Sequence, residues 1–227
     1  MSILRVDLYK HKQYYLMKRS AGFLAAALLL SGYMAKAQDF EGKITYKMTY
    51  ASHNPGVSSA KLAAALGDKE EYYIRGSQYK SLTNGTVLSM ELYDDKANKI
   101  YNKLPKSDTL YWIDAAVNSD QPTGSEIRSN ADTVLGKPCD ALVLKNRSGS
   151  ATFYYNSQYK ADASKYSKHQ YGNWAILLEK TGCLPLKSVI VNGPFEITMT
   201  AVEISPQTLD AAMFSIPAGT PIQASMY

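Results

Sequence analysis

The residues best able to do chemistry beyond position 37 are two histidines, His53 and His169, and two cysteines, Cys139 and Cys183. Neither histidine sits in an HExxH pair or at the Cys/His spacing of a zinc site. No GxSxG nucleophile elbow and no phosphate-cradling glycine loop occurs. Asp94-Asp95-Lys96-Ala97-Asn98 has the carboxylates of a calcium loop but lacks its central Gly and closing Glu, so it reads as a solvated turn. The sequence therefore predicts no catalytic residue, no metal site and no cofactor. Cys139 and His169 would make a nucleophile pair if brought together. The competing reading is a disulfide between Cys139 and Cys183, which the compartment decides.

The compartment is written into Met17–Ala37. Lys18 and Arg19 supply a positive start, Ala21 to Leu30 is an uninterrupted run of apolar residues or Gly, and Ala35-Lys36-Ala37 has small residues at the two positions that precede a cleavage point. This is the pattern of a secretory signal peptide cut between Ala37 and Gln38. The apolar run is about half of the ~20 residues a membrane-crossing helix needs, and no Cys follows it as a lipid acceptor. Residues 1–16 do not fit an export signal, and Met17 reads as the initiator. The sequence thus predicts an upstream extension and signal over 1–37, then a single domain over 38–227, periplasmic or secreted, without a transmembrane anchor in the mature protein. Export to an oxidising space favours the Cys139–Cys183 disulfide, which would close a loop worth roughly 4 kcal/mol of chain entropy.

Removing the leader changes the meaning of the charge. The whole chain carries 25 Lys+Arg and 20 Asp+Glu, a net of +5, but six of the bases and one of the acids lie in residues 1–37. The remainder is neutral, with both signs interspersed, so no basic footprint for nucleic acid or anionic lipid is present.

The elements that must position any site are strands. In Lys43 to Tyr50, one face is Ile, Tyr, Met, Tyr and the other Lys, Thr, Lys, Thr; Phe195 to Ala201 alternates in the same way. Gln78 to Thr83 and Thr86 to Tyr93 flank Asn84-Gly85, a hairpin signal. Lys99 to Leu104, Thr109 to Ile113, Asp140 to Lys145, Ala151 to Asn156, Leu184 to Val191 and Glu196 to Ile204 also read as strands. Compact turns between them imply an antiparallel meander. Ser58 to Leu66 reads as a helix with Ser58 as N-cap and Gly67 as C-cap, and Asn173 to Lys180 as a second short helix, with a strand as the alternative. Asp108-Thr109-Leu110 and Asp132-Thr133-Val134 fit a three-residue O-glycosylation pattern on exposed turns.

Several segments resemble an exported bacterial family, domain-of-unknown-function family 4412. They are Phe40 to Tyr46, Thr133-Val134-Leu135-Gly136-Lys137-Pro138-Cys139, Lys180-Thr181-Gly182-Cys183-Leu184-Pro185-Leu186-Lys187, and Leu209 to Gly219. That family is similar to the LolA/LolB-type outer-membrane lipoprotein carriers. The resemblance implies a mainly β fold, an incomplete antiparallel half-barrel wrapped around one to three helices, and shelter for acyl chains between sheet and helices. No carrier-specific residue motif appears here.

The resulting expectation is a non-enzymatic binding domain with an apolar groove for a lipid or acylated ligand. Its walls would be Ile44, Tyr46 and Met48 on the first strand, Leu88, Met90 and Leu92 after the hairpin, and Phe195, Ile197 and Met199 near the end. Leu62 and Leu66 on the Ala-rich helix would cover it. Each buried CH₂ contributes roughly 0.8 kcal/mol, so acyl capture needs no catalytic group. The same residues could instead form a filled core. A different class is an envelope structural or interaction protein meeting a protein or glycan partner through an aromatic face.

Overall fold

The computed structural model describes residues 38–225; the signal segment and its cleavage point after Ala37 lie at or beyond that edge. Six strands follow one another in the first half: β1 (Gly42–Ser52), β2 (Lys69–Arg75), β3 (Gln78–Thr83), β4 (Met90–Asp94), β5 (Lys99–Lys103) and β6 (Leu110–Asp114). Five more form the second: β7 (Gly124–Val134), β8 (Lys137–Lys145), β9 (Gly149–Lys160), β10 (Cys183–Asn192) and β11 (Phe195–Pro206). The short β12 (Ile222–Ala224) closes the chain. All twelve lie in one sheet, ordered β12-β6-β5-β4-β3-β2-β1-β11-β10-β9-β8-β7. Each half is an antiparallel meander, the two are sewn together by β1 against β11, and only β12 on β6 is parallel. β7 and β12 are the two edges, so the sheet is open. The fold is mainly β, as the alternation and turns required.

Cross-strand partners share a face. The pairs Tyr46–Ala201, Met48–Met199 and Tyr50–Ile197 continue through Ser188 and Ile190 of β10, and they define the inner face. Ile44, Tyr46, Tyr72, Ile74, Tyr79, Tyr93, Ile100, Leu184 and Leu186 are buried on it in one cluster. Two helices lie on this side. Helix α1 (Ser59–Leu66) is capped as its sequence requires: the Ser58 hydroxyl accepts from the Lys61 amide at 3.2 Å, and Gly67, at φ 97°, turns the chain out. Helix α2 (Trp174–Thr181) begins after two 3-10 turns, Ala163–Tyr166 and Tyr171–Asn173, and inserts Leu177 and Leu178 fully into the core.

The outer face is covered differently. Leu92, Tyr101 and Leu110 pack against Leu209 and Phe214 of the C-terminal segment. Asp210 begins the 3-10 turn Ala211–Phe214 by accepting from the Ala212 amide at 2.9 Å, which presses Phe214 onto the sheet.

The Asn84-Gly85 hairpin is corrected. A six-residue connection, Asn84–Ser89, joins β3 to β4, and the pair serves the end of α1 instead of a two-residue turn. The Asn84 side-chain oxygen accepts from the Asp68 and Lys69 amides at 3.0 and 3.2 Å. The Thr86 and Val87 amides then donate to the Ala64 and Ala65 carbonyls, acceptors that the last helical turn leaves unpaired. Glycine is required at 85 because a Cβ there would meet the Ala65 carbonyl at 2.5 Å. Period-two alternation does not announce β2, β7 or β12. β7 is an edge strand whose residues are nearly all exposed, so it carries no apolar phase to read.

The disulfide is likewise corrected. Cys139 and Cys183 are both free and buried. Cys139 lies on β8 and Cys183 opens β10, with β9 between them. Two inter-strand spacings come to roughly 9.6 Å, beyond the ~4.4–6.8 Å between Cα atoms that a bridge spans. Burial pushes both thiols up, which makes them inert packing residues.

Candidate functional site

The inner face does not fill completely. A cavity of about 450 Å³ opens between the sheet and the segment leading into α2, within the ~300–1,000 Å³ typical of small-molecule sites. Tyr46, Tyr72, Tyr79, Phe153, Trp174 and Met199 give it an aromatic and apolar interior, with Ile190 and Pro185 from β10. Its rim is polar: Ser119 and Asp120, Asn146 and Ser148, Asn192, and the exposed Tyr171. Asp120 fixes one side of that rim by accepting from the Arg147 and Ser148 amides and the Ser148 hydroxyl. Asn118 donates to the Asn173 side-chain oxygen at 2.8 Å, tying the loop before β7 to the start of α2.

Two carboxyls stand inside. Glu70 shares the phase of Tyr72 and Ile74 on β2, and Glu91 that of Tyr93 on β4, so strand alternation turns both inward. Ser81 of β3 lies between them, paired with Tyr72 on one side and Glu91 on the other, and its hydroxyl hydrogen-bonds Glu70. Glu70 keeps some solvent contact as a residue, but its carboxyl is enclosed. Burial first, then the Glu91 charge, pushes it up to about 7, against the pull of the Ser81 hydroxyl. Burial also raises Glu91, against the hydrogen bond from Tyr79.

Glu91 ends a short chain of hydrogen bonds. The Tyr79 hydroxyl donates to Glu91 Oε1 at 2.9 Å, and His169 Nε2 lies 3.0 Å from the same hydroxyl. With the Tyr79 proton committed to Glu91, His169 Nε2–H donates to the Tyr79 oxygen. Burial lowers the His169 imidazole to about 4, so it is neutral at neutral pH. The rings of Tyr72, Tyr79, Tyr93, His169 and Trp174 form a connected stack, with neighbouring centroids 4.3–6.2 Å apart. Within it, Tyr72 Oη, His169 Nδ1 and Trp174 Nε1 are buried and have no hydrogen-bond partner. Such atoms cost free energy unless something pairs with them.

The expected wall residues divide. Ile44, Tyr46, Met48, Phe195, Ile197 and Met199 are brought to one face by the β1–β11 register. Tyr46 and Met199 line the cavity, and Ile44 is sealed in the core. Met90 and Leu92 point to the opposite face, against the C-terminal segment. They share neither cavity nor face with Tyr46, because Glu91 and Tyr93 hold the inward phase of β4. Leu88 is half-buried in the connection before that strand. Leu62 and Leu66 are half-buried on α1, and no residue of α1 lines the cavity. The cover is instead Trp174 with His169 to Asn173. Cys139 does not line the cavity that His169 lines, so the two form no nucleophile pair there.

Glu70, Glu91, Tyr79 and Trp174 were missed from sequence. A signal existed: in Lys69 to Arg75 a glutamate occupies the same phase as Tyr72 and Ile74, where alternation calls for an apolar residue.

Among the described residues no group of three or more His, Cys, Asp or Glu is arranged to hold a metal, and no helix is long and apolar enough to cross a membrane. Asp94 serves its turn by accepting from the Lys96 and Ala97 amides.

No protein-family model matches the chain, domain-of-unknown-function family 4412 included, and no curated protein matches it. Among solved structures, it is similar to the LolA superfamily protein NE2245 from Nitrosomonas europaea, with a TM-score of 0.37 and 9% identity over 79% of this chain and 91% of that one. It is also similar to LprF from Mycobacterium bovis, with a TM-score of 0.31 and 9% identity over 75% of this chain and 89% of that one. Likeness at this level leaves the functional reading to the cavity's own residues.

Proposed function

We propose that this protein is an exported, non-enzymatic binding domain of the cell envelope, which holds one small amphiphilic ligand in the cavity on the inner face of its sheet. The observation that carries this reading is the cavity itself: about 450 Å³, walled by aromatic and apolar side chains and rimmed by polar ones. An apolar body inside and a wet rim outside suit a molecule with both kinds of surface. The buried tyrosines Tyr46, Tyr72, Tyr79, Tyr93 and Tyr166 point the aromatic content inward, which favours a ligand site over an exposed aromatic docking face.

Native mass spectrometry of protein purified from its own envelope tests the proposal. The expected spectrum shows one adduct of lipid-like mass per chain, lost on denaturation and much reduced in Ile190→Trp, which fills the cavity. Bare protein from the envelope that also fails to take up any amphiphile added afterwards would overturn it.

A further inference from the structure

The charge of the cavity is one-sided. Glu70 and Glu91 lie inside it and Asp120 stands at its rim, while no lysine or arginine lines it and His169 is neutral. Ion pairs among the described residues involve Asp39, Glu41, Glu71, Glu126, Asp132 and Glu203, and none reaches Glu70 or Glu91. A carboxylate taken out of water without a cation is costly. Here the cost is incurred twice on one face, on strands where Tyr72 and Tyr93 show that apolar groups fit. Tyr72 Oη, on a residue only 8% exposed, and Trp174 Nε1 add two buried polar atoms without partners, both on residues that line the same cavity.

Carboxylates set among aromatic rings are the chemistry that recognises ammonium groups: the ions supply charge, and the ring quadrupoles add attraction that strengthens on desolvation. We infer that the ligand of this cavity is an organic cation, its ammonium group held between Glu70 and Glu91 beside the rings of Tyr72, Tyr79 and Trp174, with an apolar body along Phe153, Ile190 and Met199. This rests on the cavity being a ligand site, as proposed above. An anionic amphiphile would set its charge against the two carboxyls, and a neutral one would leave them unpaired.

The test compares three probes with the same twelve-carbon chain, each below its micelle-forming concentration: dodecyltrimethylammonium, dodecyl maltoside and dodecyl sulfate. Calorimetric titration of the purified protein should give the ammonium probe an affinity at least about tenfold above the other two. The E70Q/E91Q double variant should lose the ammonium probe's preference over the other two. Equal affinity for all three probes would overturn the cation while leaving the cavity as a ligand site. Binding of none would overturn the cavity reading, and this one with it. A preference that survives in E70Q/E91Q would place the discrimination elsewhere and overturn the assignment.

A titration of the unaltered chain keeps the proposal testable if the double variant does not fold. The ammonium probe is permanently charged, so only protein groups titrate. Those lining the cavity with Glu70 are Tyr46, Tyr72 and Tyr79 from β1, β2 and β3, Glu91 from β4, and His169, Tyr171 and Asp120 around the opening, and Tyr50 of β1 also feels its charge. Affinity for the ammonium probe should rise several-fold between about pH 5.5 and about pH 8 as Glu70, pushed up to about 7, gives up its proton, while maltoside affinity stays level. A flat response to the ammonium probe would overturn the proposal.

Discussion

The two faces of the β2–β4 sheet differ in a way their composition conceals. The outer face carries Glu71, Tyr73, Lys80, Leu82, Met90 and Leu92, and around Leu92 it is packed under Leu209 and Phe214. The inner face carries Glu70, Tyr72, Tyr79, Ser81, Glu91 and Tyr93, and it borders the cavity. The outer face pairs its charges in the open, Lys69 with Glu71 and Lys80 with the Met213 carbonyl, while the inner face encloses two carboxyls that no cation among the described residues reaches. A sheet face with its own cover can be close-packed and dry. A face that must receive something keeps polar groups that are expensive until they are used.

The largest expected effect lies on the filled side. Phe214→Ala should cost about 3–5 kcal/mol, since a buried aromatic is replaced by a void, and it should leave ligand uptake intact in the protein that remains folded. Denaturant unfolding measures the first and probe titration the second. A cost below about 1 kcal/mol would mean that the C-terminal segment merely lies on the sheet.

On the open side the sign reverses. Glu70 is pushed up to about 7 when folded and has an ordinary carboxylate value near 4.3 when unfolded. Between those values the unfolded chain releases a proton that the folded chain retains, so this group's contribution to stability falls as pH rises through the window. Glu70→Gln should therefore stabilise the ligand-free protein at pH 8, by up to about 3 kcal/mol, with the gain vanishing near pH 4. Lower stability of the variant at pH 8 would show that the carboxylate has a partner when folded. His169 works the opposite way: its lowered value, about 4, makes its contribution disappear as pH falls from 6.5 through that point. Comparing Glu70→Gln with the parent chain at each pH removes the imidazole from the result.

Tyr72→Phe sharpens the contrast further. Its hydroxyl is buried with no partner, so removing it should change stability by less than about 1 kcal/mol, in the stabilising direction. A larger loss would show that the hydroxyl is paired. The smallest effect belongs to the cysteines. Because β9 separates them, reductant should leave the unfolding midpoint unchanged, and unfolded protein should titrate two free thiols. Zero thiols per monomer would restore the bridge and require β8 and β10 to be rearranged.

Much of this was legible in the chain. The alternation of Ile44, Tyr46 and Met48 and of Phe195, Ile197 and Met199 placed six residues correctly on one face, because a buried strand face must repeat every second residue. Ser58 and Gly67 bounded α1 by cap chemistry that is local in sequence. The same reading misassigned Met90 and Leu92. On β4 both phases are buried, so hydrophobicity along the strand cannot tell inside from outside. It also read Asn84-Gly85 as a turn, since nothing local reports that a helix end waits nearby for the Thr86 and Val87 amides.

Sequence by itself determined the β meander, the short capped helices and the absence of familiar catalytic motifs, because periodicity, capping and motif spacing depend on near neighbours. Tertiary structure alone decided which phase of β4 faces inward, that Cys139 and Cys183 stand two strands apart, and that Trp174 closes the cavity in place of α1. It also decided that Glu70 and Glu91, 21 positions apart in sequence, share one enclosed space. Those outcomes depend on strand order and on which distant segment covers which face. Hydrogen-bonded register and packing fix them over the whole sheet, beyond the reach of any local window.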